Sequence, residues 1–270
     1  MVALPATWFV GCGHMAGALI EGWQKAGVDF AQAVAIRPSG RPVDGVRTVT
    51  AIPDEPPPLR CVLGFKPQQL GKIASDLEPR LSSETVIVSM LAGVEADTLR
   101  ARLPGVLSIV RIMPNLPVAE RRGVTALFSR DASPELRKRM DGLFGLLGLA
   151  MWPEAEDGLG AVGSLAGAGP AYVARFIAAL AKAGEERGLA SHQATRIALE
   201  TVLGTALMAD ARDERMDDLA RRVASPNGTT EAGLAVLDRD DALDRLVAET
   251  IAAAARRGAE LAADARAEPR

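Results

Sequence analysis

The sequence predicts an α/β domain built on a doubly wound, mostly parallel sheet over residues 1–154, followed by an all-helical domain over residues 155–270. Three observations carry that reading. The N-terminal half alternates short β-rich runs with amphipathic stretches, the pattern of a parallel sheet covered by helices on both faces. Beyond Glu154 the strands stop, and Ala- and Leu-rich segments follow one another. Several of these are apolar around most of their circumference, so they require burial on all sides.

In chain order, Thr7–Val10, Ala33–Ile36, Cys61–Gly64, Thr85–Ser89 and Val106–Arg111 read as buried strands bounded by turn residues. Between them, His14–Ala26, Gln68–Leu81 and Ala96–Leu103 carry apolar residues at helical spacing. Pro53, Pro56, Pro57 and Pro58 mark a loop, because proline donates no backbone hydrogen bond and belongs to no regular interior. A strand at Gly123–Phe128 and a helix at Ser133–Leu147 close this half, and Met151-Trp152-Pro153 leads out of it. The second half contains helices at Ala171–Arg187, His192–Arg212, Met216–Ala224, Thr229–Leu237 and Ala242–Ala263, then a short charged tail from Asp264. A unit of that size leaves much of its surface exposed. Its apolar helices therefore predict a homodimer, or a multiple of dimers, built through the helical half.

Composition narrows the function. A hydrophobic fraction of 48% provides ample core, and a net charge of −3 provides no general basic field for nucleic acid or anionic lipid. Tyr172 is the only tyrosine in a chain with 4% aromatics, which disfavours base stacking. The two cysteines, Cys12 and Cys61, cannot build a disulfide framework. No apolar run reaches the roughly 18 residues of a membrane span, and the N-terminus lacks the basic start of a signal peptide. The expectation is a soluble, cytoplasmic protein without nucleic-acid or membrane partners.

The strongest local signal is Gly11-Cys12-Gly13-His14-Met15-Ala16, which follows a strand and opens a helix. In that context Gly11 allows the tight turn, Gly13 admits a pyrophosphate, and Ala16 permits close helix packing, the signature of a Rossmann-type domain. The helix N-terminus offers N–H groups to the phosphates. A glycine-rich turn without a ligand is the alternative. Dinucleotides lacking a 2′-phosphate are usually held by an acid at the end of the second strand; here Arg37, Ser39 and Arg41 stand instead. Those groups suit a 2′-phosphate and hence NADPH, although an exposed arginine after a strand is the plainer reading. His14 and His192 are the only histidines and have no ligand-spaced companions, so no metal site is expected.

The helical half holds Ser225-Pro226-Asn227-Gly228-Thr229-Thr230 at a helix start. Hydroxyls and backbone N–H groups there form a nest for a carboxylate, and a simple N-cap is the alternative. Gly163–Tyr172 is a run of small residues that close ligand approach and tight helix packing explain equally well.

Together with Phe65-Lys66-Pro67-Gln68, Arg111–Pro117 and Ala166–Tyr172, these motifs resemble the pyrroline-5-carboxylate reductases over nearly the whole chain. The resemblance implies a Rossmann domain for NADPH, an all-helical dimerisation domain, and reduction of the cyclic C=N bond of 1-pyrroline-5-carboxylate to give L-proline. It places Lys66, Pro67, Met113, Pro114 and Asn115 along the cofactor. It also places Ser225, Asn227, Gly228, Thr229 and Thr230 on the substrate, supplied by the partner subunit, with Thr230 nearest the ring nitrogen. The chain departs from the family pattern at Ala166 and Ala168, where serines are usual, and at His14, Leu116 and Asn227. An imine reductase for another cyclic imine and a non-catalytic NADP-binding dimer are the rival readings.

Overall fold

A computed structural model describes residues 3–267. They divide into two compact units: the chain up to Ala168 together with the chain from Ala254 on, and Gly169–Ala253.

The first unit carries an eight-stranded sheet. Its strands are β1 (Thr7–Val10), β2 (Ala33–Ile36), β3 (Arg47–Val49), β4 (Arg60–Leu63), β5 (Val86–Ser89), β6 (Ser108–Pro114), β7 (Gly123–Phe128) and β8 (Gly148–Met151). The spatial order is β3-β2-β1-β4-β5-β6-β7-β8. All neighbours run parallel except β6 and β7, which pair antiparallel. The helices are α1 (His14–Lys25), α2 (Leu70–Leu77), α3 (Ala96–Arg102) and α4 (Pro134–Gly145). Alternation along β1 sorts its side chains between the two faces. Phe9 joins Trp23 of α1 and Phe144 of α4 in one buried cluster, while Trp8 and Val10 join Leu77 of α2 and Leu99 of α3 in the other. Trp23 and Phe144 meet edge to face at 5.4 Å, and the Trp23 indole N–H donates to the Leu143 carbonyl. The doubly wound architecture is as the alternating pattern predicts.

Several elements differ from expectation. β3 and β8 are additional edge strands: β3 has three residues and no buried side chain, and β8 alternates half-buried and exposed positions, so neither shows a continuous apolar run. β6 extends through Pro114 rather than stopping at Arg111. The helix expected over Gln68–Leu81 is α2 flanked by 3-10 turns at Pro67–Gln69 and Glu78–Arg80, each carrying a proline in its first turn.

The small-residue run is helical. α5 (Gly158–Val162) passes through a π turn, Gly163–Gly167, into α6 (Gly169–Glu185). The result is one helical stretch, Gly158–Glu185, long and apolar enough by length and composition to cross a membrane. The expectation that no segment reaches that length is corrected: the π turn joins what reads as loop to the helix beyond it. α5 and the π turn lie against β6 and β7, so the first compact unit runs to Ala168, past the expected division at 154.

In the second unit follow α7 (Ser191–Asp210), α8 (Met216–Val223), α9 (Thr229–Leu237) and the start of α10 (Ala242–Ala267). Its core is thin: Ala181, Ala194 and Ala198 are buried between α6 and α7 with Ile177 packed beside them. Val173, Phe176 and Leu180 of α6 and Ile197, Leu203 and Leu207 of α7 are exposed. α10 continues through Ala267, so the expected tail is helical that far; residues 268–270 lie outside the described residues.

Candidate active site

β1 has β2 on one side and β4 on the other, so the strand order reverses there. In open parallel sheets, ligands bind beyond the carboxyl ends of the strands at such a point. A cavity of about 1260 Å³ lies there. The whole turn from Gly11 to Ala16 lines it, with Arg37 and Ser39 beyond β2 and Phe65 and Lys66 beyond β4.

The turn is built by sterics. Gly11 has φ +77°, and a Cβ there would stand 2.8 Å from the Phe65 backbone nitrogen. Gly13 is the opposite case: a Cβ would meet nothing within 4 Å, so its bare backbone leaves open space beside the helix start. Gly13 caps α1 with extended backbone, and no side chain caps the helix. Free helix N–H groups facing a roomy cavity are the donor set that phosphates require. The cavity thus fits a dinucleotide.

At the far end, the Arg37 N–H donates to the Val49 carbonyl of β3 at 2.8 Å. The edge strand that has no apolar signal in the sequence therefore fixes the backbone of Arg37, and Thr50, Ala51 and Ile52 after it form further wall. Lys72, Asp76 and Arg80 also line the cavity. The helical pattern there is legible in the sequence, but which of its residues face the ligand depends on how the helix docks. Arg41 is not among the walls. Burial pushes the Cys12 thiol above its ordinary pKa, and the Arg37 charge pulls it the other way. Burial alone raises Cys61 to about 12. Both cysteines are free thiols. Among the described residues, no group of three or more His, Cys, Asp or Glu is placed to hold a metal ion.

The other expected cofactor residues fall partly on and partly off its walls. Lys66 and Gln68 line the cavity, but Pro67 between them does not. Met113, Pro114 and Asn115 lie at the end of β6 and are not among its walls. Met113 packs against Gly163 of the π turn. Asn115 is buried, and both ends of its amide are committed: Oδ1 accepts from the Val124 N–H at 2.8 Å, and Nδ2 donates to the Ala166 carbonyl at 3.0 Å. It braces β7 and the π turn.

Earlier on β6, Arg111 donates to Glu156 at 2.7 Å, with side chains only 10% and 13% exposed. Glu156 also accepts from the Ala96 N–H and from Arg130. Burial raises the Glu156 pKa, but the Ala96 N–H and the Arg111 and Arg130 guanidiniums outweigh it and hold the carboxyl below its ordinary range. No sequence signal announces this pair, because the partners are far apart in the chain.

The Ser225–Thr230 loop belongs to the second unit. Asn227 has φ +57°, the left-handed conformation that asparagine tolerates better than most residues. Gly228 caps α9, and no side chain does. The N-cap alternative therefore does not describe the hydroxyls of Ser225, Thr229 and Thr230. Thr230 is half-buried, whereas Ser225 and Thr229 are exposed. One N–H of the nest is taken: Asn227 donates to the Glu231 carboxylate at 2.6 Å.

Residues 156–261 match the family model described as pyrroline-5-carboxylate reductase dimerisation. A Pseudomonas aeruginosa protein named pyrroline-5-carboxylate reductase is 34% identical over 269 residues, which cover 97% of this chain and 98% of that one. The chain belongs to the pyrroline-5-carboxylate reductase family. Pyrroline-5-carboxylate reductase 2 of Bacillus subtilis is 30% identical over 94% of both chains. Among solved structures, the pyrroline-5-carboxylate reductase of Coxiella burnetii superimposes with a TM-score of 0.85 at 30% identity, covering 95% of this chain and 98% of that one. A Plasmodium falciparum pyrroline carboxylate reductase with NADP bound shares the fold, with a TM-score of 0.81 at 22% identity over 96% and 98% of the two chains.

Proposed function

We propose that the chain reduces 1-pyrroline-5-carboxylate to L-proline with NADPH. The observation that carries the reading is the cavity at the strand-order reversal, lined by the turn that opens α1 and by Arg37 and Ser39 beyond β2. NADPH, when bound, supplies the hydride. The α1 N–H groups hold its pyrophosphate, Arg37 and Ser39 its 2′-phosphate, and Lys66 borders it. A protonated cyclic imine is already electrophilic, so the protein has mainly to orient it and exclude water. Ser225, Thr229 and Thr230 of the partner subunit hold the substrate carboxylate, with Asn227 and Gly228 shaping the loop. Such orientation lowers a barrier by several kcal/mol. Thr230, or a water it holds, relays to the ring nitrogen the proton that makes the imine electrophilic, and solvent restores it.

Loss of NADPH absorbance on adding 1-pyrroline-5-carboxylate is the expected result. Oxidation only with other cyclic imines identifies an imine reductase of different substrate, and cofactor binding without turnover identifies a non-catalytic dimer.

Arg37→Ala raises KM for NADPH about tenfold or more, since hydrogen bonds to charged groups contribute about 1.5–3 kcal/mol, and leaves KM for NADH nearly unchanged. Equal losses for both cofactors exclude Arg37 from the 2′-phosphate.

The exposed apolar side chains of α6 and α7 give the assembly its interface. Exposed patches of this kind mark association surfaces, and we read Gly158–Glu185, with Arg175 and Lys182 inside it, as half of a subunit interface rather than a membrane span. Light scattering is expected to give a homodimer or a multiple of it; a well-behaved active monomer overturns the shared site.

A further inference from the structure

A second cavity, of about 600 Å³, opens beside the amino ends of β1, β4 and β5, and shares no lining residue with the first. Its walls include Leu4, Val86, Leu136 and Leu143, with Arg60, Arg139 and Glu84 as the charged groups. Arg60 opens β4 and is only 9% exposed. Its Nε and Nη1 are buried without any hydrogen-bond partner, and it forms no ion pair among the described residues.

An uncompensated buried guanidinium is costly, and fixed planar donors of this kind match a carboxylate edge to edge. Burial lowers its pKa to about 10, helped by the neighbouring Arg139 charge, so it is still a cation at neutral pH. Arg139 is exposed and adds positive charge at the same cavity. Glu84 disfavours a second negative charge on whatever binds, and the leucine-rich walls favour hydrocarbon over a compact oxyanion. The volume falls within the range of small-molecule pockets.

We propose that this cavity binds a small monocarboxylate with an apolar body, its carboxylate on Arg60 and Arg139 and its hydrocarbon against Leu4, Leu136 and Leu143. The site is independent of the reductase reading, because no residue assigned to cofactor or substrate contributes to it.

The test is fluorine NMR titration of 4-fluorobenzoate into the full-length protein, with 4-fluorobenzyl alcohol and inorganic phosphate as comparison probes. Saturable binding of the carboxylate is expected, with much weaker binding of the alcohol and of phosphate. Arg60→Met keeps an apolar stem in an apolar setting and should weaken binding about tenfold or more. Arg139→Ala, on an exposed helix position, should weaken it in the same direction and decides the matter if Arg60→Met does not fold. Thr230→Ala, which alters the separate carboxylate loop, should leave the titration unchanged. The proposal is overturned by absence of saturable binding, by phosphate binding more tightly than the carboxylate, or by binding that survives both arginine changes. Loss of binding in Thr230→Ala alone overturns it equally, by assigning the probe to the substrate loop.

Discussion

In the Thr230→Ala variant, kcat/KM for 1-pyrroline-5-carboxylate falls about ten- to a hundredfold while NADPH affinity stays as in the parent. The magnitude is that of one hydrogen bond to a charged group, about 1.5–3 kcal/mol. The fold should survive, because alanine is the best helix former and the threonine hydroxyl caps nothing in α9. Steady-state kinetics also separates two roles. If Thr230 only holds the carboxylate, KM rises and kcat is kept; if it also conveys the proton, kcat falls with it. An unchanged kcat/KM in this variant, or a loss of NADPH binding, removes Thr230 from the substrate site.

Glu156→Ala lowers the unfolding free energy by about 3–5 kcal/mol, the usual cost of removing one partner of a buried ion pair and leaving the other uncompensated. Arg111 is the group left behind, buried at the centre of β6 with its acceptor gone. The exposed Arg130 contributes little, since solvent screens it. The sign of the pH dependence follows from the Glu156 carboxyl being held below its ordinary range in the folded chain. Its contribution is fully present above the ordinary carboxylate pKa and is lost as pH falls through the lower, folded value. Melting curves of parent and variant should therefore be well separated at neutral pH and converge in acid. Glu156→Gln, which keeps the shape and an acceptor, should lose less. A variant as stable as the parent at neutral pH would show that Arg111 finds another partner.

Much of the candidate site is legible in the amino-acid sequence. Gly11, Gly13 and Ala16 are readable because their roles are local: a positive φ, an open backbone and a close packing are properties of one turn between one strand and one helix. Arg37 and Ser39 are readable for a related reason, since the second strand of such a unit delivers its end to the same cavity. The substrate loop is legible as a motif, while its freedom from capping duty is not. Which residue caps α9 is set by the loop's backbone, and Gly228, with extended φ −88° and ψ 172°, takes the cap position.

The doubly wound class, the helical second half, the phosphate turn and the family all follow from the order of the residues, because periodicity and turn chemistry are short-range quantities. The remaining features exist only once the chain has folded. β3 and β8 form because neighbouring strands offer them backbone partners, with no apolar run of their own to announce them. Asn115, which the family resemblance sets along the cofactor, has its amide held between the Val124 N–H and a carbonyl of the π turn, a bracing that no local pattern announces. Arg111 finds Glu156, and Arg60 finds no partner among the described residues, for the same reason. The environment of a buried charge is made by residues far away in the chain, and only folding brings them together.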